Sequence, residues 1–246
     1  MTTERYVLGL DDTGAPETQG TSKLAREFAD LVEQDGFAAT LGVTRHRLWD
    51  GPKVPATSKN TTLAVEFETE RSIFDVEDYA VDFVRARLIE GTNPGVALLS
   101  RHSDMPHALA FGRRAQQELL KLADAERYAS EANVRLRGLA GTRNGMIGAL
   151  AAAGLRAGGK DGLYIALRGI RELSGRHTAG AIRDATALEH IIDEETGEEL
   201  DMDDMIDTLD WVRPRVADGG PVLYMRRSPD DRKLWLPVER RTPVAG

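Results

Sequence analysis

Three stretches of the chain combine residue types suited to holding a phosphate or a divalent cation. The first is VLGLDDTGAPETQGTSKLA, Val7 to Ala25, where an apolar run predicts a strand over Tyr6 to Leu10 that ends in Asp11, Asp12 and Thr13. Carboxylates at the C-terminal end of a strand lie where open α/β sheets take their ligands. They offer the hard oxygen atoms that Mg²⁺ shares with phosphates. A helix is predicted to open at Thr21 and Ser22, either of which can cap it, and its free N–H groups and dipole favour an anion. Strand, acid pair, turn and helix start together describe a Mg-nucleotide corner; the plain alternative is a turn with two solvated aspartates and an ordinary threonine cap.

The second stretch is GLAGTRNGMIGALAAAG, in which Gly138, Gly141, Gly145 and Gly148 surround Arg143 and Asn144 just before a predicted helix. Glycines let backbone amides approach a phosphate, and Arg and Asn can donate to it. The spacing is neither that of a Walker loop nor that of the dinucleotide fingerprint, and tight helix–strand packing by small residues explains the glycines equally well. The third is the loop Lys53 to Asn60, where Lys53, Thr57, Ser58, Lys59 and Asn60 can face anionic oxygens or solvent. Adjacent acids on a strand project to opposite faces, which separates Asp11 and Asp12 from phosphatase motifs whose two acids stand two positions apart. The five histidines, His46, His102, His107, His177 and His190, show no metal-ligand spacing, and no Gly-x-Ser-x-Gly elbow is present.

Composition narrows the classes. The chain has no cysteine, which excludes disulfides, thiolate zinc sites, iron–sulfur clusters and Cys nucleophiles. With 32 Lys plus Arg against 40 Asp plus Glu the net charge is −8, so nucleic acid is expected to be gripped only with the help of a partner. At 246 residues there is length for one large domain or two small ones. No apolar run reaches the roughly 18–20 residues of a membrane span. MTTERYVLGLDD lacks a secretion signal, so no membrane association and a cytoplasmic location are expected. A homodimer is compatible with the sequence, with no residue arguing for it.

The elements that must position these residues follow from periodicity. Leu24, Phe28, Leu31 and Val32 form the apolar stripe of the helix opening at Thr21, which Gly36 stops. FAATLGVTRH and TTLAVEFE read as strands, residues 75–90 as a helix, Gly95 to Ser100 as a buried strand, and Met105 to Ala132 as one long helix. VRLRGLAG reads as a strand, GMIGALAAAGLRAGG as a helix and DGLYIALRG as a strand. Beyond Ser174, HIIDEETGEEL reads as strand and turn, MDDMIDTLDWVRPR as an acidic helix, and PVLYMRRSPDDRKLWLPVER as a hairpin around Ser228 to Asp231. The expected fold is α/β to α+β, layered helices on mixed sheets. Residues 1–174 are expected to form a nucleotide-binding region, and 175–246 a small C-terminal α+β extension.

The order of the motifs is more specific than any one of them. GLDDTGAPETQGTSKLA (Gly9 to Ala25) resembles the GIDDTDSP…GMCTTYLA opening of the archaeal tRNA agmatinylcytidine synthetase family. PATSKN (Pro55 to Asn60) is similar to its PWKTRGN segment, and GTRNGMIGALAAAG (Gly141 to Gly154) to its GxGRGLIGALAAIG. Arg168 falls where a TYELIAYR-like segment ends. The resemblance covers Tyr6 to Arg168 and points to the N-terminal half of that enzyme, with its kinase domain. Members use ATP to phosphorylate a cytidine of a tRNA anticodon, after which agmatine displaces the activated oxygen.

The resemblance implies ATP and Mg²⁺ as cofactors. It assigns Asp11 and Asp12 to the Mg-ATP site, places Thr21 on the threonine associated with phosphorylation, and puts Ser22 in place of a second threonine. Thr13, Lys59, Asn60, Arg143, Asn144 and Gly145 join the nucleotide-binding set, and Gly148 and Ala149 match the start of the glycine-rich helix. Gly14 and Ala15 replace the Asp-Ser that follows DDT, Ser58 and Lys59 replace an Arg-Gly pair, Asn144 replaces an Arg and Lys23 a Tyr. The chain is expected to be a stand-alone relative without the family's OB-fold and zinc ribbon. Three functions follow: an ATP- and Mg²⁺-dependent phosphotransferase with an unidentified acceptor, a tRNA-modification component that needs an RNA-binding partner, or a nucleotide-binding regulatory module without catalysis.

Overall fold

β-branched and aromatic residues in TTLAVEFET make this segment β3 (Thr61–Thr69), a strand buried on both faces from Thr62 to Phe67 and the hub on which the first half of the chain is organised. The computed structural model describes residues 2–14, 20–51, 54 and 60–238. It divides into two units, Met1–Gly158 and Gly159–Gly246.

In the first unit β3 lies between β1 (Glu4–Asp11) and β2 (Ala39–Arg47); β1 is followed by β4 (Gly95–Leu99) and β5 (Arg135–Gly138), giving the order β5-β4-β1-β3-β2. Every neighbouring pair is antiparallel, with Leu10 opposite Leu63, Asp11 opposite Gly95, Arg47 opposite Thr61, and Gly95 opposite Gly138. This register gathers the ends of β1, β2 and β5 and the starts of β3 and β4 at one edge of the sheet. Asp11 to Thr13 of the first motif and Gly138 to Gly145 of the second sit at that edge.

Helices cover both faces. Helix α1 (Thr21–Gln34) carries Phe28 onto Phe67 with ring centroids 6.0 Å apart, and α2 (Ile73–Arg85) sets Phe83 against Phe28 with centroids 5.2 Å apart. Tyr6 stacks on Phe67 from β1 at 6.0 Å. The opposite face is built from small residues. On it α3 (Met105–Ala115), α4 (Leu122–Glu131) and α5 (Gly145–Ala157) pack Phe111, Ala125, Ala129 and Ala149 to Leu155 against Val7, Ala64, Ala97 and Leu99. A buried ion pair joins Arg156 of α5 to Glu66 of β3, and Arg5 reaches the same carboxylate.

The single long helix expected over Met105 to Ala132 is two helices. Asp124 accepts from the backbone N–H of Lys121 at 3.1 Å and starts α4 afresh, and the reversal lets Tyr128 pack on Phe111 with centroids 5.2 Å apart. Nothing in QQELLK breaks a helix by propensity; tertiary packing does it.

The second unit orders β6 (Leu163–Ala166), β10 (Arg215–Ala217), β11 (Gly220–Arg227), β12 (Leu234–Pro237), β9 (Met205–Asp207) and β7 (Arg176–Thr178), with β8 (His190–Asp193) parallel to β11. Its core holds Tyr164, Ile182, Ile191, Ile206, Leu223, Met225 and Trp235. The division at Gly158/Gly159 lies before the boundary expected after residue 174, because β6 pairs with β10 and the Tyr164 N–H donates to the Pro214 carbonyl at 2.9 Å. The hairpin around Ser228 to Asp231 is present as β11 and β12.

The acidic helix expected over 202–215 is not. There β9, a turn and the start of β10 bury Ile206, Thr208 and Val212. Asp204 accepts from the Asp201 N–H at 3.0 Å and Asp207 from the Leu209 N–H at 2.9 Å, so the aspartates satisfy backbone groups a helix would have used. A short helix, α6 (Ala179–Ala185), capped by Thr178, was not signalled by periodicity. Twelve strands and six helices among the described residues make this an α+β fold.

Candidate functional site

β1 runs through the middle of the first unit's sheet and delivers Asp11 to the shared edge. Asp12, one residue beyond the strand, adopts φ +50°, so the alternation of side chains stops at Asp11 and the backbone turns at the acid pair. Asp11 packs its carboxyl onto α5: a Cβ at Gly148 would stand 1.8 Å from Asp11 Oδ2. Burial raises this carboxyl to about pH 7; a hydrogen bond from the Asp12 backbone acts against the rise, and the Asp12 charge adds to it.

The Asp12 carboxylate is held by a residue the sequence reading did not single out. Asn93 Nδ2 donates to Asp12 Oδ2 at 2.9 Å. Asn93 Oδ1 accepts from the backbone N–H of Thr142 at 2.8 Å and from its hydroxyl at 2.9 Å, and the Asn93 carbonyl accepts from the Gly145 N–H at 3.0 Å. One asparagine therefore ties the acid turn to the glycine-rich turn. The glycines answer to this packing. A Cβ at Gly141, where φ is +55°, would lie 2.4 Å from Asn93 Oδ1, and one at Gly145 would lie 2.4 Å from the Asn93 carbonyl oxygen. The Asn-Pro-Gly sequence at Asn93 marks a turn, but nothing in it points to Asp12, 81 positions away.

Thr21 is brought to the acid pair, though not as a cap. The N-cap of α1 is Gly20, with no side-chain cap hydrogen bond. Thr21 Oγ1 instead accepts from the Thr13 N–H at 3.4 Å. The first turn of α1 holds no acid, so within that turn no side chain of the helix itself offsets the positive dipole end. Thr13 is only 4% exposed, and its hydroxyl has no hydrogen-bond partner among the described residues. A buried, unsatisfied hydroxyl between two carboxylates and a helix start is a group with capacity for a ligand. Ser22 is half-buried, and its carbonyl accepts from Arg26 Nε at 3.3 Å.

The remaining expected residues are placed unevenly. Asn144 is the exposed N-cap of α5 and makes no side-chain cap bond, while Gly145 is buried. Arg143 holds φ +62° in the same turn, but its guanidinium reaches Glu126 of α4 at 3.7 Å, beside a groove of about 490 Å³ along β5. Asn60 closes the loop before β3, with Nδ2 donating to the Trp49 carbonyl at 2.7 Å. Arg168 lies in the second unit and donates to the Thr186 carbonyl at 3.2 Å. Lys53, Thr57, Ser58, Lys59 and Ala15 lie outside the described residues. Thr62, also unanticipated, joins β1 to α5 by donating to the carbonyls of Leu10 at 3.1 Å and Gly148 at 2.9 Å.

Among the described residues no three His, Asp or Glu side chains gather as a metal cage. Asp12, half-buried, and the adjacent Asp11, whose carboxyl packs on α5, carry the hard oxygen atoms suited to an ion that keeps waters and shares phosphate oxygens, as Mg²⁺ does. No helix among the described residues is long and apolar enough to cross a membrane.

No protein-family profile matches this chain. It is 27% identical over 156 residues to an uncharacterised protein of Methanocaldococcus jannaschii, a match covering 62% of this chain and 50% of that one. Among solved structures it is similar to a tRNA fluorescent labelling enzyme and to TiaS in complex with an isoleucine tRNA and ATP, each with a TM-score of 0.55 and 23% identity over 61% of this chain and 36% of theirs. A TiaS complex with the same tRNA, AMPCPP and agmatine gives a TM-score of 0.53 at 21% identity. The chain spans half the length of the curated relative and about a third of these solved chains. The likeness is one of fold: this chain resembles part of TiaS, an agmatidine synthetase of isoleucine tRNA, at low identity.

Proposed function

We propose that the first unit binds Mg-ATP at the edge formed by Asp11, Asp12, Thr13 and the start of α1, and transfers a phosphoryl group to an acceptor not yet identified. The observation that carries this reading is the Thr13–Thr21 hydrogen bond, which sets an uncapped helix N-terminus against an acid pair. A cation site and an anion site then adjoin, as a metal–phosphate ligand requires. Bound Mg²⁺ supplies charge neutralisation at the phosphates. The chain's own residues orient the ligand: Asp12 through its carboxylate, the amides of α1 and the hydroxyls of Thr13, Thr21 and Ser22 through hydrogen bonds. Lys59 and Arg143 are the cations of this reading, and Asn60 and Asn144 its neutral donors.

A solved relative of like fold holds ATP together with tRNA, which supports nucleotide use and favours a second reading in which this chain serves tRNA modification alongside an RNA-binding partner. A third reading, nucleotide binding without turnover, draws on the Asp11 carboxyl being packed against Gly148. Calorimetry, turnover assays and gel shifts separate the three. Phosphoryl transfer expects ATP binding that requires Mg²⁺ and is lost in Asp11→Ala and in Asp12→Asn, the latter a residue that tolerates the left-handed backbone at position 12. No binding at millimolar ATP overturns the proposal. Binding without measurable turnover selects the third reading, and gel shifts with tRNA that need an added partner and weaken with salt select the second.

A further inference from the structure

We infer that Asn93 is a positioning residue of the candidate nucleotide site, fixing the Asp12 carboxylate for a cation while holding the glycine-rich turn in place. The inference rests on the Mg-nucleotide reading. Its geometric basis is that one carboxamide makes three hydrogen bonds to two segments: Nδ2 to Asp12, and Oδ1 from the amide and hydroxyl of Thr142. The Asn93 main chain adds a fourth, from the Gly145 N–H.

A carboxamide suits this place and a carboxylate or hydroxyl does not. It must donate on one side and accept twice on the other, and it carries both functions on one planar group. Donation to one carboxylate oxygen fixes the plane of the Asp12 carboxyl, as partners behind a metal ligand do. Asp12 sits in a left-handed turn with no strand ladder to hold it, so its carboxylate depends on such a partner. Gly141 and Gly145 are needed because a side chain at either would meet Asn93.

The test is the Mg²⁺ dependence of ATP binding, followed by calorimetry at fixed ATP, with Mn²⁺ binding to the free protein measured by electron paramagnetic resonance as a second readout. Thermal unfolding identifies folded variants. Asn93→Ala is expected to need about tenfold to a hundredfold more Mg²⁺ for half-maximal ATP binding, the range seen when a metal ligand loses its supporting partner. Thr142→Val, which removes one bond of the clasp and leaves Asn93 against Asp12, is expected to stay within about twofold of the wild-type midpoint, since the neutral bond it loses is modest in strength. Should Asn93→Ala not fold, Asn93→Ser, whose hydroxyl is too short to span to Asp12, answers the same question. An unchanged Mg²⁺ midpoint in a folded Asn93 variant overturns the role of Asn93 and leaves the nucleotide reading standing. Equal shifts in Asn93→Ala and Thr142→Val reduce Asn93 to a turn clasp and also overturn it. A wild-type chain that binds neither Mn²⁺ nor Mg-ATP overturns the nucleotide reading and this inference together.

Discussion

Oδ2 of Asp11 occupies the space that a side chain at position 148 would fill, 1.8 Å from where its Cβ would stand. An acid of β1 and a glycine of α5 are therefore one steric unit. Gly148→Ala is expected to lower stability by about 1–3 kcal/mol, the usual cost of overpacking. In an Asp11→Ala background the two nearest atoms are gone and only the Asp11 Cβ remains, at 2.9 Å. A double-mutant cycle read by urea unfolding is expected to give a coupling of at least about 0.5 kcal/mol. Additive losses would show that α5 moves as a body and the contact does not hold the acid.

Glu66 and Arg156 are both almost fully buried, with relative exposures of 5% and 3%. Burial pushes the Glu66 carboxyl up, and the neighbouring Arg156 and Arg5 pull it down. Removing Arg156 leaves a buried acid short of its inner partner, so Arg156→Ala is expected to cost about 3–5 kcal/mol. Arg5 pairs with the same carboxylate from the surface, where its side chain is 54% exposed, and Arg5→Ala is expected to cost less than about 1 kcal/mol. Chemical unfolding of the two variants checks the order.

Tyr6 and Tyr79 are expected to make stability fall in alkali. Burial raises both phenols to about 12, with Glu4 adding to the shift of Tyr6 and the hydrogen bond to Asp35 adding to that of Tyr79. Each folded value lies above the unfolded value of about 10. The unfolded chain therefore releases these protons first as pH rises. Their contribution is complete below about pH 10 and is lost as pH climbs toward about 12. Absorbance titration is expected to show Tyr6 and Tyr79 ionising together with unfolding, and Tyr79→Phe to remove one of these two steps.

Phe28 joins α1 to the sheet through Phe67 and to α2 through Phe83 and Tyr79, the last with its ring centroid 5.9 Å away. Phe28→Ala is expected to cost about 3–5 kcal/mol. Because α1 begins at Thr21, ATP binding by calorimetry is expected to weaken even in folded Phe28→Ala protein. Undiminished binding would separate the helix packing from the site.

Much of this was legible in the residues. The alternation in TTLAVEFET, the apolar run before Asp11 and the stripe of Leu24, Phe28 and Val32 each specify one element by local rules, and each element formed. The gathering of Asp11, Thr13 and Thr21 was also legible, because strand, turn and helix follow one another in sequence. What could not be read depends on distant pairing. Asn93 meets Asp12 only through the β1–β4 register. The glycines of the second motif allowed a phosphate cradle or tight packing, and packing is what the structure shows at Gly141, Gly145 and Gly148, whose neighbours Asn93 and Asp11 belong to segments far away in the chain. The break at Lys121 and the extended path from Met205 likewise follow from capping and burial that no period of hydrophobicity records.

The strand that carries Asp11 is paired along both sides, to β3 and to β4. Its amides can exchange with solvent only when the sheet itself opens, whereas the amides at the start of α1 have no ladder to lose. Hydrogen exchange is thus expected to be slowest at Leu8 to Leu10 and far faster at Thr21 and Ser22. The acid side of the site is the fixed anvil of the unit, and movement provoked by a ligand is expected at the helix start rather than at β1.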